Sequence, residues 1–281
     1  MRLKGVRGSR NVEDRRRMGG KTGAGIGGIG LLIILAIGYF AGVDVTPLLQ
    51  GQLDDSTQQR GAPRELTAEE KHAGDFAIKV LATTEDVWGE VFPQAFGEAY
   101  RPPVLVLFSG VTQSPCGGAS GATGPFYCPA DKKAYLDTDF FATMARQLGA
   151  KGDFAAAYVI AHEVAHHVQN ELGIIPKVNA ARKRASEVEA NALTVRLELQ
   201  ADCLSGVWAR EVGGLLEPGD LEEALNAARQ IGDDTLQRRA GRVPQPHTFT
   251  HGTSEQRQRW FAAGYDSGDP GSCDTFGAKR L

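Results

Sequence analysis

Cysteine and histidine are both scarce in this chain. Its 281 residues include four cysteines and six histidines, and no two cysteines are spaced as C-x-x-C. Thiolate zinc sites are commonly built from pairs of that spacing, so the sequence argues against a zinc site made of cysteines. Internal repeats are also absent, which argues against a solenoid or propeller. The hydrophobic content of 42% is ordinary for one large globular domain or two small ones.

A net positive charge is confined to the first residues of the chain. Residues 1–22 hold eight Lys and Arg against two acidic residues, whereas residues 23–281 hold 23 basic and 32 acidic residues. An acidic main region argues against nucleic acid as a partner.

A single long segment has no charge at all. Gly23–Val43 comprises 21 residues, and as a helix it would be ~31 Å long, which matches a bilayer core. We predict a transmembrane helix here. Residues 1–22 would then be a basic cytoplasmic tail, and the positive-inside rule would place the rest of this single-pass membrane protein in the periplasm or outside the cell. A cleavable signal peptide is the alternative, although the run exceeds the usual ~7–15 residues and no A-x-A site follows it.

Glycines in the predicted anchor are spaced so that two copies could approach each other. Gly23/Gly27 and Gly38/Gly42 are G-x-x-x-G pairs, which allow a weak homodimer through the membrane. Residues 44–66 are polar and contain Pro and Gly, and they predict a flexible linker.

Short patterns predict the elements of residues 67–281. Thr67-Ala-Glu-Glu70 is a capping box that opens a helix, which Pro93 and Gly97 punctuate. The apolar run after Pro103 predicts a strand. A hairpin is predicted from Phe126–Cys128 and Lys133–Asp137, and long helices from about 153 to 172, 178 to 212 and 218 to 239.

The four cysteines suit an exported domain. Cys116 and Cys128 enclose eleven residues rich in small and turn-forming types, which allow the two sulfurs to meet. We predict the pairs Cys116–Cys128 and Cys203–Cys273, which is one of three possible connectivities. Four reduced, buried thiols are the alternative, and a cytosolic domain would favour it.

The pattern H-E-x-x-H occurs once, in VIAHEVAHHV at 159–168. His162 and His166 are four residues apart on a predicted helix, so both imidazoles face one side and can bind a single ion. Glu163 is able to lean over a water bound to that ion, as a general base must. His167 points away from the pair, and we interpret it as a surface or second-layer residue.

A catalytic zinc needs a third protein ligand and an open position. The metzincin pattern is excluded, because its glycine and third histidine would fall on Gln169 and Leu172. The gluzincin pattern instead takes a glutamate from a later helix, and Arg196-Leu-Glu198-Leu-Gln-Ala-Asp202 supplies one. Glu198 would complete the ligand set, and Asp202, four residues on, would accept the free N–H of a ligand histidine.

Other interpretations of these acids remain open. Glutamates usually lie on the solvated side of a helix. Against this, apolar residues surround Glu198 and Asp202, where an unpaired carboxylate would be costly. Glu187 and Glu189 are the reserve ligands.

The chain resembles the membrane-anchored bacterial neutral zinc metallopeptidases, the YpfJ-like group. The matching segments are NVEDRR at 11–16, the glycine-rich anchor, TEDVW at 84–88, LVLFSG at 105–110, GPFYCPADKKAYLD at 124–137, GDFAAAYVIAHEVAHHVQN at 152–170, RLELQADC at 196–203 and FTHGTSEQRQRWF at 249–261. The resemblance implies zinc bound by His162, His166 and Glu198, with Glu163 catalytic. It also draws attention to His251 as the residue that stabilises the oxyanion. His247 lies four residues earlier, outside the matching segment, and is the runner-up. A helix-entry histidine bonded to backbone is the alternative for His251.

These observations predict an α+β fold: a single N-terminal transmembrane helix, then a mostly helical, zincin-like domain of the gluzincin type with a small β-sheet at 67–281. The expected activity is hydrolysis of a peptide or protein substrate by a zinc-activated water, with one Zn²⁺ and Glu163 as the base. The strand Lys133–Asp137 would hold an extended substrate by backbone pairing. The alternatives are a catalytically silent, membrane-tethered zinc-binding scaffold and a latent peptidase restrained by a partner.

Overall fold

A computed structural model describes residues 1–17, 65–120, 124–147 and 149–281. Its strands are β1 Val12–Asp14, β2 Val104–Phe108, β3 Val111–Ser114, β4 Gly117–Ser120, β5 Phe126–Cys128 and β6 Lys133–Asp137. Its α-helices are α1 Ala68–Phe96, α2 Phe140–Gln147, α3 Asp153–Glu171, α4 Ile174–Arg182, α5 Glu187–Glu211, α6 Asp220–Gln230, α7 Asp233–Arg239 and α8 Ser254–Ser267. Short 3₁₀ turns occupy Gly213–Leu215, Pro246–Thr248 and Pro270–Cys273.

The main sheet of the described residues has the strand order β1-β2-β6-β5. Strands β1, β2 and β6 are parallel, and β5 is antiparallel to β6 with Phe126 opposite Tyr135. The predicted strand after Pro103 and the predicted hairpin are therefore confirmed. Since β2 is apolar at every position and four of its five residues are buried, it has the character of a strand covered on both faces.

A second, two-stranded sheet is formed by β3 and β4. The disulfide Cys116–Cys128 joins this hairpin to the end of β5, and Cys203–Cys273 joins α5 to the last 3₁₀ turn. Both predicted pairs are thus confirmed.

Residues 1–17 pack against the domain. Strand β1 runs beside β2, with Val12 opposite Leu105, and the side chain of Glu13 reaches Lys133 on β6 at 2.7 Å. Arg16 is 5% exposed and donates to the carbonyl of Glu70 on α1. The first residues of the chain therefore complete the sheet.

The predicted architecture, a membrane helix followed by a separate domain, is wrong. Within the described ranges, no helix is both long and apolar enough to cross a membrane. What the structure supports is an α+β fold, mostly helical with small sheets, in which residues 1–17 take part. The prediction relied on the length of one apolar run. That run gives no information about whether the residues before it pair with β2, as β1 does. Gly23–Val43, its G-x-x-x-G pairs and most of the predicted linker lie outside the described residues.

The helices differ from prediction chiefly in number. The capping box of Thr67 and Glu70 is present. The helix expected from 178 to 212 is two helices, because Ser186 and Glu189 form a second capping box that starts α5. The helix expected from 218 to 239 is divided at Gly232, and α8, which begins at the cap Thr253, was not predicted.

Helices α5 and α8 approach each other closely. A Cβ at Gly206 would collide with the carbonyl of Phe261, and one at Gly264 with the carbonyl of Cys203. Glycine at these two positions permits backbone contact. This close packing brings the amino-terminal half of α8 against the residues of α5 that face α3.

Candidate metal centre

Helix α3 carries the H-E-x-x-H motif through the middle of the domain. Most of its side chains are buried, because α5, α6, α1 and the sheet all pack on it. The rings of His162 and His166 meet edge to face with centroids 4.8 Å apart. The i, i+4 spacing thus places both imidazoles on one side of the helix, as predicted.

Glu198 on α5 faces the two histidines. Its Oε2 lies 3.1 Å from His162 Nε2, and its Oε1 lies 3.4 Å from His166 Nε2. One donor atom from each of the three residues lies within 4.8 Å of the others. Burial alone would raise the pKa of Glu198, but the facing histidines hold that pKa well below its usual range. The lowered pKa favours the ionised carboxylate, the form that could bind a metal ion.

These three side chains fit a zinc ion. Two imidazole nitrogens and one carboxylate oxygen are the donor set of catalytic zinc, which needs three protein ligands and one open position. The side chains are 8%, 12% and 13% exposed, so the site is largely shielded from water but still reachable.

The far nitrogen of each of the two rings faces a side-chain oxygen. Nδ1 of His166 lies 2.8 Å from Oε1 of Gln169, whose amide nitrogen donates to Leu197 O and to Gln200. Those two bonds fix the orientation of the amide, so its oxygen accepts from Nδ1–H and leaves Nε2 free for the metal. Nδ1 of His162 lies 2.9 Å from Oδ1 of Asp202, close in distance but outside hydrogen-bond geometry.

Asp202 is fully buried and belongs to a polar network. Tyr158 donates to its Oδ1 at 2.5 Å, and Arg257 on α8 donates to both of its oxygens. Burial alone would raise the pKa of Asp202, but Arg257 and His162 lower it to about 2. Asp202 is thus a carboxylate held between a guanidinium and a ligand histidine.

Glu163 lies beside this centre with 9% of its surface exposed. Burial raises the pKa of its carboxyl against the opposing effect of His166 and His162. Glu163 is among the residues that line a small cavity between α3 and the sheet, whose apolar members include Leu105, Leu136 and Ile160. This environment suits a group that must accept a proton near neutral pH.

His251 lies on the loop before α8, and the side chain of Asp233 binds the backbone of this loop. One oxygen of Asp233 accepts hydrogen bonds from three successive backbone N–H groups, those of Thr250, His251 and Gly252. Gly252 has φ +90° and lies against Val195 and Leu199, on either side of Glu198 in sequence. The loop therefore lies close to the third ligand. The ring of His251, 49% exposed, has its Nδ1 3.4 Å from the other oxygen of Asp233.

The comparisons with known proteins identify the family. Residues 1–276 match the family described as "Putative neutral zinc metallopeptidase". The chain belongs to this family. It is 50% identical to the Escherichia coli (strain K12) protein YpfJ, with 99% of each chain covered. It is 44% identical to the Mycobacterium tuberculosis protein Rv2575, with 72% of this chain and 71% of that one covered. No solved structure matches significantly.

In this family member, His167 is buried, which excludes the surface position among its two predicted positions. It is 1% exposed, and its Nε2 donates to the carbonyl of Arg101 at 2.6 Å while its Nδ1 accepts from Tyr127 at 2.9 Å. Burial lowers its pKa, so the ring is neutral. His167 therefore ties α3 to strand β5 and is not a surface residue.

Three other predicted candidates lie away from the ligands. Glu187 is exposed, and Glu189 is engaged in the capping box of α5. His247 is exposed on the turn Pro246–Thr248, where its carbonyl accepts from Asn191.

The strand predicted to hold substrate cannot do so by pairing. Strand β6 is hydrogen-bonded to β2 on one side and to β5 on the other, so both of its edges are used. The outer strand beside α3 is β5.

Sequence reasoning missed Gln169, Arg257, Tyr158 and Asp233. Gln169 had a local signal, because it is three residues after His166 and therefore on the same side of α3. Arg257 and Asp233 had none, since each meets the site only through the packing of a distant helix or loop.

Proposed function

We propose that this family member is a zinc-dependent peptidase. The observation that carries the proposal is the convergence of His162, His166 and Glu198 on one point beside the buried carboxyl of Glu163. The three ligands would hold a single Zn²⁺. When bound there, zinc lowers the pKa of a coordinated water and polarises a carbonyl group.

Glu163 is proposed as the general base and acid. Its raised pKa and its apolar surroundings allow it to take a proton from the attacking water and to give it to the leaving amine. A carboxyl in bulk water, with a pKa near 4.3, would be a weaker base.

His251 is proposed to stabilise the negative charge that develops on the scissile carbonyl oxygen. Partial burial works against protonation of the ring, but the carboxylates of Asp233 and Glu198 outweigh it and raise the pKa of His251. With Nδ1 facing the hydroxyl of Thr250 at 3.0 Å and Asp233 at 3.4 Å, Nε2–H remains to donate to the substrate. The substrate itself is proposed to be an extended peptide that pairs with the outer edge of β5.

The domain is further proposed to work outside the cytoplasm. Two disulfides support this, since such bonds are rare in cytosolic proteins. Because residues 1–17 are hydrogen-bonded to β2, they would share that compartment. Thiol alkylation in intact cells checks the point: we expect no labelling of the four cysteines until the protein is reduced, and four reactive thiols without reduction would contradict it.

The function is tested by incubating the purified full chain with a peptide library, with and without a chelator, and by measuring bound metal. We expect one zinc per chain and cleavage that the chelator abolishes and added zinc restores. Bound zinc without turnover of any peptide would favour a zinc-binding scaffold. Cleavage that survives complete metal removal would refute the zinc mechanism.

A further inference from the structure

Arg257 is a buried arginine that makes paired contacts with a single carboxylate. Its side chain is 2% exposed. Nε donates to Asp202 Oδ2 at 2.8 Å, and Nη2 donates to Asp202 Oδ1 at 2.9 Å. The remaining donors reach the hydroxyl of Tyr158 at 3.3 Å and the carbonyl of Ile231 at 3.4 Å. The two parallel bonds fix both the position and the plane of the carboxylate.

The plane of that carboxylate matters for His162. Oδ1 of Asp202 lies 2.9 Å from His162 Nδ1, yet the two groups are not aligned for a hydrogen bond. A small rotation of the carboxylate therefore decides whether it meets the ring N–H. The ring of His162 in turn directs Nε2 at the point that it shares with His166 and Glu198.

Charge gives the same contact a second consequence. Glu163, Glu198 and Asp202 bring three carboxyl groups to one buried region. Arg257 supplies the positive charge that faces the most deeply buried of them, Asp202. Without Arg257, Asp202 would be a fully buried carboxylate with only the rings of His162 and Tyr158 beside it, which is costly.

We propose that Arg257 is a positioning residue for the metal ligand His162 and that it acts through Asp202. The two donors of the Arg257 guanidinium, Nε and Nη2, form a fork that holds the carboxylate of Asp202, and that carboxylate holds the ring of His162. The metal site of α3 and α5 therefore depends on α8, which contributes no ligand to it.

The test is the zinc affinity of the full chain, measured by competition with a chromophoric chelator. Arg257→Lys keeps the charge but loses the fork. We expect zinc to bind about 10- to 100-fold more weakly, as it also should in Asp202→Asn. The double variant should be no weaker than Asp202→Asn alone, because the arginine acts through that carboxylate.

The matched control is Arg16→Lys, which alters another buried arginine paired with a carboxylate, that of Asp14. Its zinc affinity should equal that of the wild type. Wild-type affinity in Arg257→Lys, or losses that add in the double variant, would overturn the proposal.

A second variant answers the case in which Arg257→Lys does not fold. Tyr158→Phe removes one donor to Asp202 but leaves the arginine fork in place. We expect it to lose less zinc affinity than Asp202→Asn, and an equal loss would show that the fork does not orient the carboxylate. The inference rests on the proposed function only in that the site binds zinc. A wild-type protein that binds zinc but cleaves no peptide would refute the peptidase and leave the inference intact.

Discussion

The amide oxygen of Gln169 lies 2.8 Å from Nδ1 of His166, and the same amide donates to the carbonyl of Leu197 on α5. One fully buried side chain thus fixes the tautomer of a candidate metal ligand and joins the two helices that carry all three candidates. Replacing Gln169 should weaken metal binding more than it lowers the stability of the fold.

Gln169→Met is expected to weaken zinc binding by about 10- to 100-fold, because Nδ1 of His166 loses its acceptor. Chelator competition measures the change. Gln258→Met is the matched control, since Gln258 is a half-buried glutamine on α8 that bonds to Leu225 O. Equal affinities in the two variants would remove Gln169 from the metal site.

Glu163→Gln is expected to keep zinc and to lose at least about 10²-fold in kcat, since the amide cannot accept the proton. Because burial disfavours the charged carboxylate, the unfolding midpoint of the variant should be equal to that of the wild type or higher. Glu171→Gln, at the end of the same helix, is the control and should cleave normally. Undiminished cleavage by Glu163→Gln would require another base.

His251→Gln is expected to lower kcat by about 10²- to 10³-fold and to change KM and zinc content little, because the lost donor acts on developing charge. His247→Gln alters the neighbouring exposed histidine and should keep full activity. Steady-state kinetics on a cleaved peptide distinguish the two. A loss confined to His247→Gln would transfer the role to that residue.

The disulfide Cys203–Cys273 spans 70 residues, and Cys116–Cys128 spans 12. Replacing each pair by alanine should lower the free energy of unfolding, and loss of the longer loop should cost about 1.5 kcal/mol more in the chain-entropy model. Denaturant titration of both double variants gives the comparison. A greater loss for Cys116–Cys128 would show that packing outweighs loop entropy here.

Glu13 connects β1 to the centre of the sheet, and its pKa is lowered to about 2 by hydrogen bonds from Arg15 and Lys133. A depressed folded-state pKa stabilises the protein above the unfolded value of about 4.5, and this stability is lost as the pH falls toward 2. The melting temperatures of the wild type and of Glu13→Gln, both measured with a metal chelator present, should therefore differ at pH 7 and converge near pH 2. A constant difference across that range would exclude the ion pair as its cause.

Predictions from the sequence succeeded where the relevant contacts are local or follow from simple periodicity. His162 and His166 lie on one face of a helix because they are four residues apart, and Phe126–Cys128 pairs with Lys133–Asp137 across a short turn. Glu198 and Asp202 needed one further step, the expectation that a carboxylate among apolar residues has a buried partner. The sulfur pairs followed from the small residues between Cys116 and Cys128.

Prediction failed where the contacts join distant parts of the chain. Residues 1–17 were interpreted from their positive charge, yet Arg16 is buried and Glu13 reaches Lys133 across a strand. Basic residues at the start of a chain suggest a solvated tail. Only the pairing of β1 with β2 shows that these residues pack on the domain. The position of His167 was left open between surface and second layer for a related reason, since its partners are the carbonyl of Arg101 and the hydroxyl of Tyr127.

The sequence by itself determined the candidate ligands and the candidate base, because helical spacing and the chemistry of imidazole and carboxylate leave few other arrangements for His162, Glu163, His166 and Glu198. Only the tertiary structure decided what holds them. Gln169 acts across two helices, Arg257 arrives on a third, and β1 joins the sheet from the other end of the chain. Each of these contacts depends on how elements pack in space, which no spacing within the chain specifies.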